Sequence, residues 1–358
     1  MNVVFHYAAG PDLAARIAAV ARDGLAIEVC AEYDDARLAT LLPETDVLWH
    51  VLRPATAEVI DAAPRLRLIQ KIGVGVNTID LAAARRRGIA VCNLPGTNAP
   101  AVAELTLALM LAASRRIPMF DAATRRGEGF ALDPAAKNGI NELGGRTVGL
   151  VGYGAVPRAL APVLAALGCR VLYTARAARS DAAAEFRALP DLLAESDVVS
   201  LHVPLTAETE RMIDAAALAR MRPSAILVNT ARGGLVDEPA LVAALRTGRL
   251  AAAGLDVFAE EPVAPSSELL SLPNVVLTPH VAWLTTGTFD RSFALAAENC
   301  RRLAIGAARS TLIGCSPERE AQDDWIAGVL GNSNPSWLIG NGHLTLTAGD
   351  TRIVFEVG

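Results

Sequence analysis

Apolar positions in this chain fall into short runs separated by longer segments of helical spacing. Val3 to Phe5, Ile27 to Val29, Val47 to Trp49, Leu68 to Ile72 and Ile89 to Cys92 read as strands, with helical segments such as Asp12 to Asp23 and Ile79 to Arg87 between them. Alternation of this kind predicts a parallel sheet wrapped by helices. A helix over Pro100 to Arg116 follows, with Val102, Leu105, Leu109 and Ala112 on its core face. Its place just ahead of a glycine turn suits a connector between domains. The polar interval from Gly127 to Gly145 leads into a second alternating region, whose later strands are Val198 to Leu201, Ile226 to Val228, Ala253 to Val257 and Val275 to Thr278.

The second region opens on Thr147 to Arg176, TVGLVGYGAVPRALAPVLAALGCRVLYTAR. A strand (Val148, Leu150, Val151), a glycine turn, a helix and a second strand (Val171, Leu172, Tyr173) fit within about 30 residues, the length of one βαβ unit. The spacing of Val156, Leu160, Val163, Leu164 and Leu167 predicts one buried helix face, and Gly168 ends the helix. Gly152 permits the turn out of the strand. Gly154 leaves room for a pyrophosphate to reach the amides of the helix N-terminus, where the helix dipole favours negative charge. Pro157 stands where the motif usually has a third glycine, and proline is tolerated in a first helical turn. The stretch therefore reads as a dinucleotide-binding turn, with a purely structural turn as the alternative.

Polar groups gather at the C-terminal ends of the later strands: Ser200 and His202, Asn229 to Arg232, Asp256, and Thr278 to His280. In an open α/β sheet this edge holds the ligand. Three ionisable side chains there make a coherent set. Arg232 offers a planar fork for a carboxylate, and His280 beside Glu261 supplies a proton to the alkoxide left by hydride transfer to a carbonyl. Singly, each reads as well as a helix cap, a solvated loop acid or a turn histidine. In the first region, the loop Lys71-Ile-Gly-Val-Gly-Val-Asn77 also follows a strand, either as a ligand loop or as a simple strand-to-helix turn.

Composition narrows the class. With 358 residues, 52% hydrophobic content and a net charge of −5, the chain has material for two soluble domains. Arg85 to Arg87 and Arg301 with Arg302 follow helical patterns and read as solvated faces, so no nucleic-acid partner is expected. No apolar run reaches the roughly 18 residues of a membrane span, and no leader-like N-terminus is present, so neither a membrane nor export is expected. Five scattered cysteines (Cys30, Cys92, Cys169, Cys300, Cys315) suggest neither disulfides nor a metal site, and fit a cytoplasmic setting.

The ordered motifs KIGVGVNTID, LPGTNAPAVAE, ELGGRTVGLVGYG, SDVVSLHVPLTAET, VNTARGGLVDEPAL, AAAGLDVFAEEP and LTPHVAW resemble those of the D-isomer-specific 2-hydroxyacid dehydrogenase family, over about Leu68 to Leu303. The resemblance implies two doubly wound parallel-sheet α/β domains, a Rossmann coenzyme domain (100–284) inserted into a flavodoxin-like substrate domain (1–99 and 285–358), and a homodimer. It implies that Arg232 binds substrate, that Glu261 and His280 form the acid/base pair, and that Val74 and Gly75 hold the substrate carboxylate. Cofactor contacts are implied at Gly152, Tyr153, Gly154, Ala155, Val156, Thr174, Arg176, Arg179, His202, Pro204, Thr209, Thr230, Ala231 and Asp256.

Three departures sharpen the picture. Ala175, flanked by Thr174 and Arg176, stands where an acidic residue would bind the ribose hydroxyls of NAD; with Arg179 nearby, charge complementarity favours NADP(H) over NAD(H). YTAR is also similar to the cofactor-selecting stretch of glyoxylate/hydroxypyruvate reductases. Trp283, where relatives carry small residues, either narrows the pocket toward a small 2-oxo acid or packs within the domain. The tail beyond about Leu303 is longer than the family's, and its end alternates like a hairpin around Ala348-Gly349-Asp350. The expected activity is NADPH-dependent reduction of glyoxylate, hydroxypyruvate or a similar 2-oxo acid to the D-2-hydroxy acid. An NAD(H)-using dehydrogenase of other specificity and a dinucleotide-sensing, corepressor-like binding protein are the alternatives. Glu261 argues against a formate-oxidising branch, which carries glutamine there.

Overall fold

A computed structural model describes residues 1–22, 24–129, 131–132, 134, 138–180 and 182–306, and the backbone of 312–313, 336–340, 343–348 and 351–356. It divides into two compact units. One comprises residues 1–72, 76–93 and 296–358, the other 73–75 and 94–295.

The first unit runs β1 (Asn2–His6), α1 (Pro11–Val20), β2 (Ala26–Cys30), α2 (Asp35–Leu41), β3 (Val47–His50), α3 (Ala57–Asp61), β4 (Leu68–Lys71), α4 (Leu81–Arg86) and β5 (Ala90–Cys92). These strands are parallel in the order β5-β4-β3-β1-β2, the flavodoxin-like arrangement, and β13 (Leu312–Ile313) adds an antiparallel edge on β5. Burial on both faces explains the unbroken apolar runs: every residue of β3, β4 and β5 is covered. One buried polar residue, Gln70, is fully engaged. Gln70 Nε2 donates to the Lys71 and Cys92 carbonyls, and its Oε1 accepts from Asn299 Nδ2 at 2.7 Å.

The second unit contains α5 (Ala99–Arg115), α6 (Ile117–Arg125), β6 (Thr147–Val151), α7 (Ala155–Ala166), β7 (Arg170–Thr174), β8 (Glu185–Phe186), α8 (Leu189–Glu195), β9 (Val198–Leu201), α9 (Ala215–Arg220), β10 (Ile226–Asn229), α10 (Glu238–Arg246), β11 (Ala252–Leu255) and β12 (Val275–Leu277). All seven strands are parallel, in the order β12-β11-β10-β9-β6-β7-β8. This is the doubly wound Rossmann order with one further strand, and its switch point lies between β6 and β9. Two apolar clusters form the core, one containing Leu172, Val199, Leu227 and Leu241, the other Leu109, Leu150, Leu160 and Val228. Helix α5 belongs to this core. It packs on β10, β11 and α7, close enough that a Cβ on Gly254 would lie 3.0 Å from Leu109 Cβ.

Helix α7 forms where its spacing predicts, but its buried face is shifted. Pro157, Leu160, Ala161 and Leu164 point inward, whereas Val163 and Leu167 stand 45% and 44% exposed. A proline and an alanine, not two larger apolar residues, complete the inner stripe. Strand β6 makes its close approach to another helix, α8: a Cβ on Gly149 would lie 2.3 Å from Ser196 Oγ and 2.5 Å from Leu192 Cδ2.

Helix α11 (Thr286–Ala304) groups with the second unit up to Leu295 and with the first from Ala296. In the tail, β15 (His343–Ala348) and β16 (Thr351–Glu356) pair antiparallel, as the alternation predicts, and β14 (Ser336–Gly340) joins them as a third strand. Gly349 and Asp350, like Cys315, lie outside the described residues.

Candidate active site

The strand ends that flank the switch point are tied to each other, the His202 amide donating to the Val151 carbonyl at 2.8 Å. Gly152 has φ +100°, a conformation open to glycine, and its amide donates to the Thr174 carbonyl at 2.9 Å. A side chain there would also strike the His202 carbonyl at 2.7 Å. Gly154 is different: a Cβ on it would meet nothing within 4 Å. No side chain caps the N-terminus of α7, and Gly154 and Ala155 are exposed beside it with Val156 half-buried. Free backbone donors at a helix N-terminus, next to open space that a Cβ would begin to fill, fit a dinucleotide pyrophosphate.

The side chain of Tyr153 turns inward. Its ring lies 4.4 Å from that of Tyr173, and its hydroxyl accepts from the Ala183 amide at 2.9 Å. The Tyr173 hydroxyl accepts from the Arg179 amide at 2.6 Å. Two tyrosines thus pin the segment that follows Thr174 between β7 and β8 and carries Arg176 and Arg179, both exposed. Across the switch point, His202 Nε2 lies 2.9 Å from Ser200 Oγ, and burial pushes its imidazole down to about 3, so it is neutral. The loop beyond it is closed by Thr209, whose hydroxyl donates to the Pro204 carbonyl at 2.7 Å.

The three ionisable residues come from three neighbouring strand ends, β10, β11 and β12. Asn229, at the end of β10, accepts from the Ala231 amide and donates to the Arg232 carbonyl, holding the loop in shape. Thr230 is fixed by a 2.9 Å hydroxyl contact with Thr106 of α5. Beyond Arg232 the chain passes so close to Phe258 that a Cβ on Gly233 would lie 1.9 Å from the Phe258 carbonyl carbon and oxygen. Glu261 folds back so that its Oε1 accepts from the Phe258 amide at 3.0 Å, while its Oε2 lies 2.6 Å from His280 Nδ1.

The electrostatics follow from these contacts. Burial would raise the Glu261 carboxyl. The His280 hydrogen bond, the Phe258 amide and the neighbouring charges of His280 and Arg232 together outweigh it, leaving the carboxyl below its ordinary value. Burial lowers the Arg232 guanidinium, which the nearby Glu261 charge opposes. The three form one charged group.

His280 is held in a left-handed backbone conformation, φ +56°, rare for a residue with a side chain. Its amide donates to the Asp256 carbonyl at 2.7 Å. The Asp256 carboxylate is fully buried and accepts from the Thr278 hydroxyl and from the Val281 and Ala282 amides. Burial raises its pKa despite these donors. Trp283 Nε1 donates to the His280 carbonyl at 3.0 Å, and the indole packs edge-on against Phe289 at 5.6 Å between centroids.

Val74 and Gly75 lie in a loop whose residues 73–75 group with the second unit, where the Leu94 amide donates to the Gly73 carbonyl at 2.8 Å. Val74 is exposed and Gly75 half-buried. Sequence reasoning left Gly233 out of the site, and placed Asn229 and Thr278 at the ligand-binding edge without their supporting roles. The paired glycines of ARGG were a signal for the first. The other two show only in the folded hydrogen-bond pattern. Among the described residues no cluster of side chains could hold a metal, and no helix is long and apolar enough to cross a membrane.

Comparison with known proteins identifies the family. The family model described as D-isomer specific 2-hydroxyacid dehydrogenase, NAD binding domain, matches residues 107–282. Glyoxylate reductase of Aeropyrum pernix is 42% identical over 299 residues, covering 80% of this chain and 89% of that protein. A crystal structure of a Thermus thermophilus protein superposes with a TM-score of 0.78 at 39% identity, covering 87% of this chain and 100% of that one. The NADPH-dependent glyoxylate/hydroxypyruvate reductase of Sinorhizobium meliloti, solved with NADP and malonate, gives 0.74 at 31% identity, covering 88% and 97%. The chain therefore belongs to the D-isomer specific 2-hydroxyacid dehydrogenase family and is an NAD(P)-dependent oxidoreductase.

Proposed function

We propose that this enzyme reduces a small 2-oxo acid, of the glyoxylate or hydroxypyruvate kind, to the D-2-hydroxy acid, with NADPH preferred. The observation that carries the reading is the 2.6 Å contact of His280 Nδ1 with Glu261, with Arg232 near enough to act on the same carboxylate. With Nδ1 engaged, Nε2 is the nitrogen that faces substrate and carries the transferable proton. Glu261 stabilises the imidazolium and fixes the ring's orientation. Arg232 binds the substrate carboxylate through its fork and draws charge from the adjacent carbonyl. Amides around Val74 and Gly75 take the carboxylate's other side. The dinucleotide, when bound, supplies the hydride. His280 then protonates the resulting oxygen, completing the hydroxyl.

The second unit is the coenzyme domain in this reading, with 100–284 as its core, and the first is the substrate domain. Arg176 and Arg179, both exposed, would pair with the ribose phosphate, with no acidic side chain at Ala175 to repel it. The reductase named above, from S. meliloti, is NADPH-dependent, which supports the same choice. Homodimer assembly and a reducing cytoplasmic compartment complete the proposal; Cys30, Cys169 and Cys300 are buried free thiols, as that compartment favours.

The test is NADPH and NADH oxidation against a panel of 2-oxo acids, with cofactor titrations and His280→Ala as control. The variant is expected to lose turnover by on the order of 10²–10⁴-fold while binding cofactor normally. Tighter binding of NADH than NADPH would remove the cofactor assignment, and turnover independent of His280 would remove the mechanism.

A further inference from the structure

The loop that presents His280 is fastened from two sides. On one side the buried Asp256 carboxylate gathers the Val281 and Ala282 amides, and the Asp256 carbonyl takes the His280 amide. On the other, the Trp283 indole donates to the His280 carbonyl at 3.0 Å. That carbonyl belongs to a residue held at φ +56°, where a side chain crowds its own backbone. A backbone so placed persists only when its surroundings over-determine it.

Trp283 suits that task. It is 8% exposed, and its ring is wedged edge-on against Phe289, which stacks on Phe293 in turn, both on helix α11. The aromatic series makes the indole N–H a fixed donor. The Val281 to Leu284 turn is closed by the Leu284 amide on the Val281 carbonyl at 2.9 Å, so the indole and the carbonyl it holds belong to one rigid piece of chain.

We propose that Trp283 is a positioning residue for proton transfer: its indole N–H locks the left-handed backbone of His280 and so keeps Nδ1 in line with Glu261. Trp283 touches neither substrate nor cofactor in this role. The inference rests on the reading of His280 as proton donor, and of the two roles open to Trp283 it takes packing within the domain over narrowing of the pocket. Without the tether the His280 peptide relaxes toward ordinary backbone angles, the imidazole swings, and the short contact with Glu261 lengthens. The loss falls on turnover and not on cofactor binding.

Trp283→Phe keeps an aromatic ring against Phe289 and deletes the donor. Its kcat is expected to fall about tenfold, a modest share of what misplacement by an ångström produces. NADPH affinity is expected to stay unchanged, while the pH profile of reductive kcat/KM departs from that of the wild type because the His280–Glu261 contact is disturbed. Phe289→Leu serves as the packing control: it lowers melting temperature without moving the pH profile. If Trp283→Phe fails to fold, benzothienylalanine at position 283 keeps the indole's shape and replaces only its N–H by sulfur. Wild-type kcat and pH profile in whichever folded variant is measured would overturn the proposal, as would a Trp283→Phe profile indistinguishable from that of Phe289→Leu. The underlying reading fails separately, through His280→Ala: if that variant turns over normally, His280 is not the proton donor, whatever Trp283 does.

Discussion

Gly233 gives the most demanding test of how the site is assembled. Gly233→Ala adds one methyl group, yet that Cβ would lie 1.9 Å from both the carbon and the oxygen of the Phe258 carbonyl and 2.5 Å from the Ala259 nitrogen. Contacts under 3.0 Å are essentially never seen for a Cβ, so the backbones must part by at least 3.0 − 1.9 = 1.1 Å. Neither partner is a rotatable side chain. One backbone leads from Arg232, and the other carries the Phe258 amide that orients Glu261. Overpacking of this kind costs about 3 kcal/mol, which for a domain of this size lowers the melting temperature by roughly 6–12 °C. Separating Arg232 from Glu261 by an ångström lowers kcat/KM by on the order of 10²-fold. Gly234→Ala is the matched control, since its Cβ meets only the flexible end of Leu205 at 2.9 Å. Thermal melts by circular dichroism and steady-state kinetics on both variants decide the matter. A G233A protein melting within about 2 °C of wild type, with kcat/KM within about threefold, would refute the claim that this approach sets the site's geometry.

Three further outcomes follow from the same geometry. Gly154→Ala has open space and an ordinary backbone, so it should leave the melting temperature in place and weaken dinucleotide binding, read by fluorescence titration; unchanged affinity would move the pyrophosphate elsewhere. Arg176→Ala combined with Arg179→Ala should reduce NADPH affinity at least tenfold, about 1.4 kcal/mol, with NADH affinity little altered, and equal losses for both cofactors would count against a 2′-phosphate contact. Because the Glu261 carboxyl sits below its ordinary value of 4.5, the stability it contributes is complete above pH 4.5 and is lost as pH falls through its lower folded value. Glu261→Gln should therefore flatten the acid-side decline in urea stability below pH 4.5. The effect is small, since the side chain is 36% exposed, and an unchanged acid limb would refute it.

Both sheets were legible because strands buried on two faces must be apolar from end to end, and because polar residues cluster only at the edge where a ligand sits. Arg232, Glu261 and His280 stood out by lying at successive strand ends. What the sequence concealed depends on three-dimensional approach. The inner face of α7 was misplaced because Pro157 and Ala161 carry little hydrophobic signal while Val163 and Leu167 carry much. Strand β8 escaped notice because its two residues, Glu185 and Phe186, are exposed and too few to show alternation. Asp256 accepts from two amides and a hydroxyl that lie 22 to 26 residues away, and only folding brings them together.

The two tyrosine hydroxyls at Arg179 and Ala183 have a consequence for how this enzyme could change its coenzyme. They grip the main chain of the β7–β8 segment, so the path of that segment is set from the core and not by the side chains displayed on it. Residues such as Thr174, Ala175 and Arg176 are then free to vary like the teeth of a key on a fixed blade. Under the proposed cofactor reading, exchange of one cofactor for another is then expected to need only a few point substitutions at these positions.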